Sequence, residues 1–241
     1  MAEAGRERRV EGRWASPTES LHVHESVEGA DPGAVEGRRL SGPLQGFGKL
    51  WQKTYRVRLE GVEVTPEQVV AVWQADYGSF WPATSRFCAP FSGVTPGEVA
   101  LISDRRGGLQ LSTGVLVLYA DEVSFTFLCP QGHPFAGMIT FSAHDDGDGT
   151  VAQVQAIIRA QDPLIELSMP FYTHRQEDKV WQHVLAALAT RFGVLDAQVS
   201  TDAVCVDRHR QWRQAGNVRH NAGWYALTRP FRRRRSPAPD A

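Results

Sequence analysis

In KTYRVRL, residues 53–59, apolar and charged positions alternate. Tyr55, Val57 and Leu59 fall on one face and Thr54, Arg56 and Arg58 on the other, the period of a half-buried strand. The period then changes. In TPEQVVAVWQADYGSFWP, Thr65 stands as N-cap, Pro66 at N1 and Gln68 at N3, a capping box that predicts a helix start. Val69, Val70, Trp73 and Tyr77 recur at helical spacing, and Gly78 and Pro82 stop the helix after a short second one through Phe80 and Trp81.

From about residue 84 to 160 every signal is β. GEVALISD, LQLSTGVLVLY, SFTFLC, MITFSA and TVAQVQAIIRA are separated by Arg106-Gly107-Gly108, Asp121-Glu122, CPQGHPFAG and HDDGDG. Short strands with Gly- and Asp-rich turns predict a continuous antiparallel meander, and the absence of a strand–helix–strand rhythm argues against a parallel doubly wound sheet. Asp162-Pro163 is a second cap-plus-proline helix start. Pro170 must break or kink the first part of that helix. Its second part carries Val180, Trp181, Val184, Leu185, Leu188 and Phe192 on one face and stops at Gly193. Beyond it, AQVSTDAVCVDRHRQWRQAGNVRHNAGWYAL predicts a short extended piece and then a helix, docked through Trp212, Ala215, Val218, Ala222 and Tyr225 or Ala226.

Residues 1–43 show no sustained apolar period and are rich in Glu, Gly, Arg and Ser, so disorder is expected there. The division that follows is 1–43 disordered, 44–196 a folded domain, 197–228 an extension with a helix, and 229–241 a disordered basic tail. The net charge of −1 hides an asymmetry, because residues 201–241 carry nine Arg against three acids. Such an end binds polyanions weakly and in a salt-dependent way, which is not specific nucleic-acid recognition. No run of 18 apolar residues exists to span a membrane, and the N-terminus lacks the apolar core of a secretory signal. Three widely spaced cysteines, Cys88, Cys129 and Cys205, suit reduced thiols in a cytoplasmic protein.

The order strand, helix pair, long meander, long C-terminal helix resembles the START-like, birch-pollen-allergen-like (SRPBCC) superfamily over residues 47 to 193. Within SFTFLCPQGHPFAGMITFSA, Gly132, His133, Pro134 and Gly137 match the "GHP" hairpin of a bacterial branch of that superfamily whose function is not established. That branch follows the glycine with acidic residues, where this chain has Met138 and Ile139. The resemblance implies an α+β helix-grip fold, a curved antiparallel sheet wrapped around the long C-terminal helix, with an apolar cavity between them. Members bind lipids, sterols or polyketide-like aromatics there, and some catalyse cyclisation or dehydration. The Arg-rich extension has no counterpart in that fold.

The small inward residues Ala152, Val154, Ala156 and Ile158 leave room on the strand face that would meet the helix. With Phe127, Trp181 and Leu185 they are the candidate ligand contacts; a filled core is the competing reading. No GxSxG, P-loop, HExxH or metal-ligand cluster occurs, so no cofactor or metal is expected. HDDGDG reads as a hairpin turn and not a calcium loop. His22 and His24 alone make a poor metal site. His133 has the right pKa range for acid–base work but no sequence neighbour to orient it, and its prolines and glycines explain a turn without chemistry. Tyr55, Tyr119, Tyr172, Arg159 and Gln155 are the other polar groups that could face a ligand. Three functions remain open: a non-catalytic binder of a hydrophobic small molecule, a cyclase or dehydratase using His133 and a tyrosine, and a scaffold with a filled core.

Overall fold

A computed structural model describes residues 12–23, 31–88, 93–106 and 109–221. Eight strands run as β1 (Leu50–Leu59), β2 (Ser85–Cys88), β3 (Val99–Arg106), β4 (Leu109–Ala120), β5 (Ser124–Leu128), β6 (Phe135–Asp145), β7 (Thr150–Ala160) and β8 (Val199–Asp207). They form one antiparallel sheet in the order β2-β3-β4-β5-β6-β7-β1-β8. The meander is therefore continuous, and β1 closes onto its last strand with Tyr55 opposite Val154 and Val57 opposite Ala152. Helix α1 (Pro66–Ala75) and a 3-10 turn (Tyr77–Phe80) follow β1; α2 (Pro163–Ser168) and α3 (His174–Arg191) follow β7. This is an α+β helix-grip fold, with the curved sheet closed around α3.

Local chemistry explains the boundaries. Thr65 Oγ1 accepts from the Gln68 N–H while the Thr65 N–H donates to the Gln68 side chain, the reciprocal capping box. Asp162 Oδ1 accepts from the N–H groups of Leu164 and Ile165. Pro170 does not break the chain's helical path. Lacking an N–H and crowding the turn before it, it falls in a five-residue π-helical turn, Met169–Thr173, that joins α2 to α3. At the far end Gly193 takes φ +83, its N–H reaches Thr190 O and the Val194 N–H reaches Ala189 O, a Schellman stop.

One core fills the inner face. Val69, Val70 and Trp73 of α1 and Val184, Leu185 and Leu188 of α3 pack on Tyr55, Phe125, Phe141, Ala152 and Val154. Phe125 and Phe141 stack at 4.8 Å, and Trp73 meets Phe141 edge-on at 5.4 Å.

Two expectations are corrected. Residues 12–23 and 31–43 are not disordered. They lie over the outer face of β3 and β4, where Leu21 and Val35 are buried against Cys88, Val99, Leu101 and Leu116. Alternation makes that outer face as apolar as the inner one, where Ala100, Ile102, Val115 and Val117 belong to the main core. The segment is fixed by backbone bonds, Ala15 N to Leu118 O and Ser41 N to Cys129 O among them. Secondly, the short extended piece after α3 is a nine-residue strand, β8, that adds to β1 at the sheet edge. The following helix is 3-10 over Trp212–His220. Trp212 meets the Phe47 ring edge-on at 5.2 Å yet is 73% exposed, so it seals less surface than a docked helix would. Ala222, Tyr225 and Ala226, the first 11 residues, His24 and the basic tail 229–241 lie outside the described residues. Among the described residues no helix is long and apolar enough to cross a membrane.

Candidate functional site

Where α3 begins, it meets the sheet at β1 and leaves a gap over the other strands. Between Gln176, Glu177, Val180 and Trp181 on one side and β2–β7 on the other lies a cavity of about 230 Å³. Phe87, Ile102, Val115, Phe127, Ile139, Ala156 and Ile158 supply its apolar wall, and Tyr77 and Trp81 its end. Half-buried residues, Ser85 and Asp104 on the sheet and His133 to Phe135 in the hairpin, mark its rim.

Of the residues expected to contact a ligand, Phe127, Ala156, Ile158 and Trp181 stand in this wall. Ala152, Val154 and Leu185 do not, which corrects the sequence reading. They sit farther along, where Leu188, Trp73, Phe141 and Tyr55 fill the space their small side chains leave. The cavity thus occupies one end of the sheet–helix interface; the other end is solid.

His133 is also in the wall. Its Nδ1 lies 3.0 Å from the Phe135 N–H and 3.1 Å from the Phe135 carbonyl oxygen, accepting from the first or donating to the second according to the tautomer. Burial pushes its pKa down to about 4, opposed by the hydrogen bond to the Phe135 carbonyl, which favours the protonated ring. The shift favours the neutral imidazole, which keeps its hydrogen-bonding capacity but takes up a proton reluctantly. Its turn is held by the Gln161 N–H on Pro134 O and the Gln131 N–H on Arg39 O.

The other polar candidates lie elsewhere. Tyr119 Oη donates to Asp121 at 2.6 Å, and its ring packs at 4.6 Å on Trp14, outside the cavity. Gln155 donates to Thr54. Arg159 is buried but bound to Gly48 O, His209 O and Asp207, so it latches the C-terminal segment to β1 and β7. The Tyr172 side chain lies outside those described. Tyr55 is tied to Asp178 at 2.7 Å, and burial drives its pKa far up, which removes it as an acid–base group.

That last bond belongs to a cluster the sequence reading missed. Lys53 is 2% exposed, with Nζ 2.9 Å from Glu177 Oε2 and 2.5 Å from Asp178 Oδ1. Glu177 also lines the cavity. Burial raises its pKa, against Lys53, which favours the carboxylate. The Trp181 indole N–H approaches that carboxylate closely enough to favour it as well, without making a hydrogen bond of normal geometry. A carboxyl with a raised pKa can give or take a proton from a molecule in the cavity. Cys129, at the same wall, has its thiol pushed up to about 12 by burial, so it is no nucleophile.

His174 sits at the outer side of the cluster, its ring 4.8 Å from Trp51. Burial and then Lys53 push its pKa down to about 4, with Asp178 opposing. A histidine that resists protonation when folded loses stability as pH falls from its unfolded pKa near 6.5 toward 4. Glu177 acts with the opposite sign. The His174→Gln variant is therefore expected to lose less stability than the parent between pH 7 and pH 5. Urea midpoints at the two pH values check this; equal losses would remove His174 from the pH response.

No protein-family description and no curated protein matches this chain. Solved structures to which this chain is similar include that of Ara h 8.0201, with 13% identity, covering 59% of this chain and 97% of that one at a TM-score of 0.45. The di-domain ARO/CYC StfQ from the steffimycin biosynthetic pathway has 10% identity, covering 60% and 50% at a TM-score of 0.45. A START superfamily protein from Mycobacterium smegmatis has 18% identity, covering 61% and 98% at a TM-score of 0.41. Likeness at this level passes no activity to this chain.

Proposed function

We propose that this protein binds a hydrophobic small molecule in the cavity between the sheet and the start of α3. One observation carries the reading: about 230 Å³ of space walled mainly by aromatic and aliphatic side chains. Close packing normally eliminates such volume, because an unfilled void forfeits contacts along its whole lining. Ala156 helps keep it open, being fully buried in the wall with only a methyl group to offer.

Native mass spectrometry of the protein from its own host tests for a retained occupant. In parallel, calorimetric titration with 2-ethylnaphthalene should give one saturable site. The Ala156→Phe variant should lose that site while still unfolding in one cooperative transition, at a midpoint lowered by the crowding of a packed position. A parent protein with neither a co-purifying mass nor a saturable site would overturn the reading.

A further inference from the structure

The π-helical turn carries the winding of α2 on into α3, and the outward side of that stretch is apolar. Leu164 is 58% exposed, Leu167 73% and Phe171 77%. Their spacing of three and then four residues puts them on one side of the helix, with Pro170 exposed between them. The inner side has other duties. Glu166 and Met169 are buried, and Ile165 and Thr173 line the cavity. Single exposed apolar residues are ordinary on a protein surface, but three large ones side by side mark a place of contact.

The exposed charges that adjoin this side are basic. Arg175 and Lys179 continue it at four-residue steps, and neither forms an ion pair among the described residues. Arg208, Arg210 and Arg213 are exposed on the segment after β8, which Arg210 ties to Glu166 of α2 at 2.9 Å. The acids of α2 are spent inside the fold. Asp162 caps the helix and accepts from Asn221, Glu166 accepts from Arg210, and both carboxylates are buried. The Asn221 bond also fixes where the Arg-rich end sets out, at the first turn of α2. The sequence beyond that point holds Arg229 and Arg232 to Arg235.

Apolar side chains rimmed by cations suit a surface that is anionic on top and apolar just beneath, which is the chemistry of a lipid bilayer carrying acidic headgroups. We propose that α2 and the π-helical turn seat this protein on an anionic bilayer. Leu164, Leu167 and Phe171 enter the boundary between headgroups and acyl chains, while Arg175, Lys179 and the Arg-rich end meet the phosphates. A second copy of this chain fits the same face poorly, because it would bring like charges together around the rim.

Co-sedimentation of the full chain with two kinds of vesicle tests this, one of phosphatidylcholine alone and one of phosphatidylcholine and phosphatidylserine at about 3:1. The parent should bind the mixed vesicles more tightly than the neutral ones. Leu167→Gln combined with Phe171→Gln should weaken that binding by about 10–100-fold, part of the transfer gain of two large side chains, with the unfolding midpoint unchanged. Arg175→Gln combined with Lys179→Gln should weaken it by about 5–30-fold and leave binding to neutral vesicles as it was. Titration of the same samples with 2-ethylnaphthalene reads the cavity separately, so this inference and the binding reading fail independently. If the Leu167 and Phe171 variant binds mixed vesicles as the parent does, the Arg-rich end holds the vesicle alone and the inference fails. A parent that binds neither vesicle overturns it too. So does a Leu167 and Phe171 variant that turns a dimeric parent into a monomer or lowers the unfolding midpoint. The face would then be covered by a second copy or by residues 222–241 of this chain.

Discussion

Replacing Lys53 with Met should cost about 3–5 kcal/mol of stability, the range for breaking a buried ion pair by removing one partner. Lys53 is 2% exposed and its ammonium lies within 2.9 Å of Glu177 and 2.5 Å of Asp178. The Met chain fills the space of the lysine stem, so the loss is electrostatic and not a cavity. It falls chiefly on Glu177, whose side chain is 5% exposed, because Asp178 keeps the Tyr55 hydroxyl and some water. Without the ammonium the pKa of the stranded carboxyl rises further, so it should protonate. A folded group with a raised pKa is favoured as pH falls, so the penalty should shrink between pH 7 and pH 5. Adding Glu177→Gln to Lys53→Met should recover part of the loss. Urea unfolding of the two variants at both pH values checks the argument. A loss below about 1 kcal/mol at pH 7 would mean the pair is solvated.

Gly137→Ala should be nearly as damaging. Gly137 has φ +144, a region that residues with a Cβ rarely adopt. An added Cβ would also collide with the carbonyl oxygen of Ile157 on β7, where the backbone cannot yield without parting the strands. Strain of about 1–3 kcal/mol and overpacking of about 1–3 kcal/mol together predict a loss of about 2–6 kcal/mol. Thermal unfolding measures it, and an unchanged transition would show that β6 and β7 can separate locally. Because the hairpin ahead of Gly137 carries His133, the cavity rim should shift as well. Binding of 2-ethylnaphthalene should weaken more than the loss of stability alone explains.

Turn chemistry made the meander and helix boundaries legible in the sequence. Thr65-Pro66, Asp162-Pro163 and Gly193 each have a local job that no distant contact has to finish. The N-terminal covering was not legible. Its largest buried anchors, Leu21 and Val35, are isolated in the sequence, and many of its ties are backbone bonds that any side chains permit. β8 was read too short because it is an edge strand. Val204 and Val206 stay about half exposed, so the strand carries no inward stripe to read. The ion-pair cluster did leave a trace. Lys53 continues the inward row of Tyr55, Val57 and Leu59, and Glu177 continues the buried helical stripe of Trp181, Val184 and Leu188. A cation and an anion, each on the apolar face of its own element, predict one another. The cavity's position was beyond sequence, since alternation puts Ala152 and Ala156 on one face but cannot say which has a ring opposite it.

The pairing of β1 with β7 also bears on how the chain is made. About a hundred residues separate each β1 residue from its β7 partner. At 5–20 residues per second on the ribosome, β1 waits about 5–20 s for that partner, and longer for β8. A strand of Trp, Tyr, Val and Leu left open so long invites pairing with its counterpart on a neighbouring ribosome. Lys53, Arg56 and Arg58 break that strand's apolar run. The lysine that anchors the finished core thus serves first as a guard of the unfinished chain.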